Sequence, residues 1–253
     1  MDNNYKVYVR SLIFNHAPYI MEALRGFVMQ ETNFPFIVSL EEDCSTDNTR
    51  MVIENFLQKE CDMTNAEYEN FPSSEVIKVR HRSNKNCTFV VYFFKFNHFS
   101  KRKARTLYTD TWRGICDYEA LCEGDDYWTD PLKLQKQVDF MDTNPDYVMC
   151  FHNAMERWED EGGREQPFSN IENRDYVGVE MYRHWIVPTA SVLFRHNEVY
   201  PSKIYKTATS STKFIFGDII LFLSAASLGK VRGMSDCMSV YRRTGEGVVM
   251  KQI

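Results

Sequence analysis

Two hydrophobic periods alternate along the first 130 residues of this chain, and that alternation limits the folds open to it more than any other feature. Lys6 to Phe14 alternates apolar and polar residues through Val7 and Val9 and ends in an apolar run, the pattern of a strand entering a buried sheet. Ile20, Ala23, Leu24, Phe27 and Val28 then recur at i, i+3, i+4, i+7 and i+8, one stripe of a helix whose first turn suits Pro18. Phe34 to Leu40 reads as a second strand. A second helix turns Ile53, Phe56 and Leu57 inward, with Ser45 or Thr46 as its cap. Val76 to Arg80 and Tyr118 to Cys122 continue the series, which predicts an α/β fold with a mainly parallel sheet flanked by helices.

Beyond residue 130 the pattern loosens. Asp130 as cap and Pro131 as first helical residue open a helix carrying Leu134, Val138 and Met141, and Asn144-Pro145 closes it. Tyr147 to Phe151, Ala190 to Phe194 and Met238 to Tyr241 read as strands. The polar stretch between the first two, with Gly162-Gly163, predicts a hairpin and mobile loops. Phe214 to Leu228 is apolar on almost every side, as a helix buried between layers is, with Gly229 as its C-terminal cap. There is no internal repeat. The expected organisation is a single domain over 1–253, in which 1–130 binds a nucleotide and 131–253 receives an acceptor.

Composition removes several function classes. At 253 residues and 43% hydrophobic, the chain can bury about 70–75% of its unfolded surface without staples. A net charge of −5 gives no global positive field to attract nucleic acid. The seven cysteines are scattered without a C-x-x-C pair, which predicts reduced thiols and a cytoplasmic setting. No apolar run approaches the ~20 residues that span a bilayer. Dense aromatics from Phe89 to Phe99, followed by Lys101-Arg102-Lys103, read as a buried helix with a basic cap; contact with a membrane's inner face or a lipid-linked acceptor is the functional counterpart.

Chemistry concentrates in acidic turns. Glu123, Asp125 and Asp126 place three carboxylates within four positions after a strand, where open α/β sheets bind ligands. Their repulsion calls for a cation, and oxygen donors favour Mg²⁺ or Mn²⁺. Glu42-Asp43 follows another strand, so both turns belong to one rim, and Asp43 suits a base or ribose as acceptor. Asp218 precedes the apolar helix, where a carboxylate can be either a plain cap or a proton acceptor. Tyr127 and Trp128 adjoin the first cluster. His16 and His152 lie near strand ends, His152 within reach of an acceptor. Glu119 conflicts with its apolar strand. Cys44 and Cys122 read as packing residues.

The segments FNHAPYIMEALRGFVMQ, EEDCSTDNT, ALCEGDDYWTDPLKLQKQVDF, PTASVLFR, FGDIILFLSAASLGKV and SVYRRTGEGV resemble, in order, the motifs of bacterial family 2 inverting glycosyltransferases. The resemblance implies a glycosyltransferase A-type fold, a nucleoside diphosphate sugar donor (UDP-linked by preference), a divalent metal and a glycan or lipid-linked saccharide acceptor, as in cell-surface polysaccharide synthesis. It matches Asp43 to the acid at the nucleobase, Glu123 and Asp125 to the D-x-D acids with Asp125 and Asp126 at the metal, Phe14 and Asn15 to the base pocket, and Asp218 to the general base. Thr189 and Ser191 match the acceptor side, and Arg242 or Arg243 would add positive charge for the leaving diphosphate. Thr244 stands where the family commonly has His, and residues 84–114 depart from the family pattern. An impaired nucleotide-sugar or glycan-binding module is therefore the alternative, with a nucleotidyltransferase behind it.

Overall fold

A computed structural model describes residues 5–101, 103, 106–210 and 217–244. In chain order the elements are β1 (Val7–Ile13), α1 (Ile20–Val28), β2 (Phe36–Glu42), α2 (Thr49–Glu60), β3 (Glu67–Asn70), β4 (Ser74–Arg80), β5 (Cys87–Phe94), α3 (Thr106–Arg113), β6 (Tyr118–Leu121), β7 (Tyr127–Trp128), α4 (Lys133–Thr143), β8 (Tyr147–Trp158), β9 (Arg164–Pro167), β10 (Asp175–Tyr176), α5 (Gly178–His184), β11 (Leu193–Phe194), α6 (His196–Val199), α7 (Lys203–Thr209), α8 (Gly217–Leu228) and β12 (Lys230–Arg243). Arg102, Phe214 and the tail after Thr244, which the sequence reading included, lie outside the described residues.

One sheet crosses the molecule in the order β10-β12-β8-β11-β6-β1-β2-β5-β4-β3. Its centre, β6-β1-β2-β5, is parallel, so the four carboxyl ends share a rim. β11 runs antiparallel to both β6 and β8, and β12 runs parallel to β8, which sends the last strand toward that same rim. The expected mixed, mainly parallel α/β architecture is therefore present. α1, α2 and α4 cover one face through Val7, Val9, Ile13, Leu24, Phe27, Ile53, Leu57, Leu134 and Val138.

Several elements differ from the sequence reading, each for a physical reason. The aromatic run expected as a buried helix is β5, buried at all eight positions. It lies between β2 and β4, and a strand covered on both faces has no alternation to reveal it. β4 does not continue the parallel series; it pairs antiparallel to β5, followed at the edge by β3, whose four residues are exposed. β8 and β12 are far longer than expected, 12 and 14 residues, because each supplies the other's ladder through two register shifts around Cys237 and one after Lys230. Asp130 accepts the Leu132 amide, but α4 begins only at Lys133. α2 has Asn48 at its cap position with no side-chain cap bond, and Asp47, not Ser45 or Thr46, receives the Thr49 amide. The hairpin around Gly162-Gly163 forms as expected, with both glycines at positive φ. Gly229 follows α8 for want of space: a Cβ there would stand 2.5 Å from Val148 Cγ2.

The opposite face of the sheet buries charged groups among apolar ones. Glu119 pairs with Arg113 at 3.1 Å and accepts the Tyr200 hydroxyl, while Arg10 bonds Glu41 at 3.0 Å. The conflict in the β6 sequence is thus answered by partners on α3 and beside α6. All seven cysteines are free thiols, and five are buried. Among the described residues no helix is long and apolar enough to cross a membrane.

Lys133 is fully buried under the Trp128 ring, 4.0 Å from its centroid, and its Nζ has no hydrogen-bond partner among the described residues. Burial lowers its pKa from 10.5 to about 7. The unfolded chain therefore holds more protons across that window, and stability rises with pH through it. Lys133→Met should raise Tm, with a gain that is largest at or below pH 7, on the order of 4 kcal/mol, and fades toward pH 10.5; thermal melts of both proteins from pH 6 to 10 measure this. Gly26→Ala should lower stability by about 1–3 kcal/mol, because its Cβ would stand 2.9 Å from the Trp128 amide nitrogen; chemical denaturation gives the value.

Candidate active site

Four loops meet at the carboxyl ends of β1, β2, β5 and β6. The first two are laced together. Asn15, at φ 57°, donates its amide to Ser45 Oγ and accepts the Thr46 amide on Oδ1. The Ala17 amide reaches Asp47 Oδ2, and the Ser45 amide reaches Glu42 Oε1. Cys44 is also left-handed, at φ 60°, which turns the chain sharply after β2. Ser45 and Thr46 thus fasten the Asn15 loop instead of capping α2. Phe14 is left on the rim with 42% of its surface exposed.

Asp43 points into the protein. Its Oδ1 accepts the His98 amide at 2.7 Å and its Oδ2 the Phe99 amide at 2.9 Å, while its carbonyl accepts Asn97 Nδ2 at 3.0 Å. The carboxylate is only 2% exposed. Residues 97–99, in the segment that departs from the family pattern, carried no sequence signal of this bond.

The acidic turn separates its three carboxylates. Glu123 is exposed. Asp125 is partly exposed, 3.8 Å from His16 Nε2. Asp126 is buried and accepts the Arg242 amide at 2.7 Å. Burial and the neighbouring Asp125 charge hold the Asp126 carboxyl well above the usual range, and the Arg242 amide acts against them. Burial pushes the His16 imidazole down, against the pull of Asp125. Gly124 is required here, since a Cβ would stand 2.8 Å from His16 Nδ1 and 2.9 Å from Ile13 Cγ1.

Arg242 is committed to architecture. Its guanidinium is 1% exposed and donates to Glu159, Glu22 and the Asp125 carbonyl, between the rings of Tyr19 and Tyr127. Arg243 pairs with Glu156. Arg242 therefore does not present the free positive charge expected for a diphosphate, whereas Arg243 keeps 37% of its side chain exposed. His152, expected near an acceptor, is fully buried with Nδ1 at the Asn153 carbonyl. Cys122 is a packing residue, buried, with its thiol pKa raised by desolvation.

Asp218 lies near the side chain of Thr189. β11 runs antiparallel to β6, so the turn at Thr189–Ser191 extends past the end of β6 beside the acidic turn, where Trp128 Nε1 bonds the Ala190 carbonyl. Asp218, in the first turn of α8, accepts the Ile219 amide. Burial raises its pKa, and neighbouring main-chain amides and the Thr189 side chain oppose the rise. Ser191 spends its hydroxyl on the Pro188 carbonyl.

Among the described residues no three His, Cys, Asp or Glu side chains group as a metal cage. The donors that do face one another are Asp125 and His16. A hard ion that arrives with a diphosphate keeps water and phosphate oxygens and needs one or two protein donors, a number this pair meets.

No protein-family model matches the chain. An uncharacterized protein of Mycobacterium tuberculosis and one of Mycobacterium bovis are each 30% identical over 242 residues, 94% of this chain. The chain spans 59% of the length of those relatives. Among solved structures, S. aureus TarS in complex with UDP-GlcNAc superposes with a TM-score of 0.56 at 17% identity, over 98% of this chain and 61% of that one. The mannosyltransferase PcManGT from Pyrobaculum calidifontis, in complex with GDP-Man and Mn²⁺, superposes with a TM-score of 0.55 at 12% identity, over 97% and 59%. The fold of this chain is the one those proteins share.

Proposed function

We propose that the chain is a glycosyltransferase that moves a hexosyl group from a nucleoside diphosphate sugar, UDP-linked by preference, to a hydroxyl of a glycan or lipid-linked saccharide, with inversion, in polysaccharide synthesis. One observation supports the reading: the turn of Thr189, the side chain that acts on the Asp218 carboxyl, extends past the end of β6 beside the turn of Asp125. The nucleotide-sugar complexes of the two structural neighbours support the donor class.

In this reading Phe14 and Asn15 line the base pocket, and Glu123 and Asp125 face the diphosphate. Asp126 and Arg242 fix the turn that carries Asp125. Asp218 takes the proton from the acceptor hydroxyl as its oxygen bonds the anomeric carbon and the sugar–phosphate bond breaks on the opposite side. A desolvated carboxylate is a stronger base, which suits the role. A bound Mn²⁺ or Mg²⁺, held by Asp125 with His16 beside it, would supply charge compensation to the leaving diphosphate. Thr244 favours a second reading, a module that binds nucleotide without turnover; nucleotide binding with no transfer to any acceptor would select it.

Asp218→Asn should lower kcat by about 10²–10⁴-fold and leave UDP affinity unchanged, measured by sugar transfer and by calorimetry. A wild-type rate in this variant would remove Asp218 from the mechanism. Because burial raises the Asp218 pKa, activity should fall as pH drops through a value above the ordinary 3.8 of an aspartate; the kcat profile from pH 4 to 8 locates that limb. Asp125→Ala should abolish the part of the nucleotide-induced Tm shift that depends on Mn²⁺, which melts with UDP, with and without the ion, will show.

A further inference from the structure

The Asp43 carboxylate is closed to a ligand because residues 97–99 cover it. Each of its oxygens receives a main-chain amide, from His98 and from Phe99, and the side chain is almost wholly buried. The turn is anchored from below as well. The His98 ring packs against Phe94 and Phe96 with centroids 4.2 and 4.3 Å away, and its Nδ1 approaches both the Phe96 carbonyl and Asp43 Oδ1. Asn97 accepts the Ser100 amide on Oδ1 while its Nδ2 holds the Asp43 carbonyl. What this turn holds up to solvent is the Phe99 ring, 63% exposed. On the other side of Asp43, its amide donates to the Ile13 carbonyl, and the next residue is the exposed Phe14. Two exposed aromatic residues, Phe14 and Phe99, thus adjoin the main-chain bonds that Asp43 makes to β1 and to the 97–99 turn.

We propose that Asp43 is a positioning residue that fixes the 97–99 turn so that Phe99 forms, opposite Phe14, a wall of the nucleobase slot, and that the base is held by stacking and not read at its edge by the Asp43 carboxylate. The proposal rests on the nucleotide-binding reading above. Fixing a ring in place before the ligand arrives lowers the ordering cost of binding. Stacking accepts every base, since each has a π-face, so Phe99 contributes alike to UDP, GDP and ADP, and a preference for UDP comes from other groups of the pocket.

The test is calorimetric binding of UDP, GDP and ADP, each with Mn²⁺, to the wild-type chain, Phe99→Ala, Phe99→Tyr, Asp43→Asn and the Asp43→Asn/Phe99→Ala double variant. Phe99 is exposed, so its variants keep the fold. Phe99→Ala should weaken all three nucleotides by a similar factor, about 5- to 150-fold, and Phe99→Tyr should bind as the wild type does. Asp43→Asn should weaken all three alike, and the double variant should be no weaker than the worse single one. A wild-type affinity in Phe99→Ala would overturn the proposal, as would an Asp43→Asn protein whose base preference changes while Phe99→Ala keeps its own. A folded wild-type chain that binds none of the three would instead overturn the nucleotide-binding reading, and this proposal with it.

Discussion

One buried guanidinium joins the two halves of the molecule. Arg242 ends the last long strand, yet it bonds Glu22 on the first helix, Glu159 beyond β8 and the carbonyl of Asp125 in the acidic turn. Its own amide binds Asp126. Burying a guanidinium costs several kcal/mol, which short charge-assisted bonds on all three nitrogens and two aromatic rings offset. The acidic turn needs such a counterweight, because Asp125 and Asp126 adjoin one another and Asp126 has no water to screen it. Arg242, one of two arginines expected to add charge for the leaving diphosphate, is thus committed to the fold.

The sheet follows a similar rule on the face away from α1 and α2. Arg10 with Glu41 and Arg113 with Glu119 place charges where a neighbouring strand would carry valine or isoleucine. Such pairs add little net stability over apolar residues of the same size, but breaking one strands its partner without water. Their effect is on arrangement. They tie α3 and the Tyr200 segment to specific strands, which a continuous apolar face would leave free to slide.

The sequence was most readable where side-chain periodicity meets a single buried face. Ile20 to Val28 declared α1 through its stripe, and Glu123 to Asp126 declared a rim turn through its position after a short strand. Legibility failed where both faces are buried, as at Cys87–Phe94, since covering a strand on both sides erases the alternation that identifies it. It failed again at Lys230–Arg243, where only Met238 to Tyr241 read as a strand, because pairing with β8 is what makes the rest of that stretch a strand. At the site, acidity located Asp125 and Asp126 but said nothing of direction. The bonds from Asp43 to 97–99 and from Asp126 to Arg242 span 55 and 116 positions, and no local pattern encodes them.

Among the described residues the sheet ends at two strands, and an edge strand's main-chain groups invite another chain to add a strand. Here one end is β3, four exposed residues with two glutamates, and the other is β10, two residues that begin with an aspartate. Short, negatively charged margins give an incoming strand few bonds and a repulsive approach. The apolar strand β5 lies two positions in from one margin, behind β4 and β3. That placement keeps a strand buried at every position away from the edge, and Glu67–Asn70, exposed at all four residues, forms the margin in its stead.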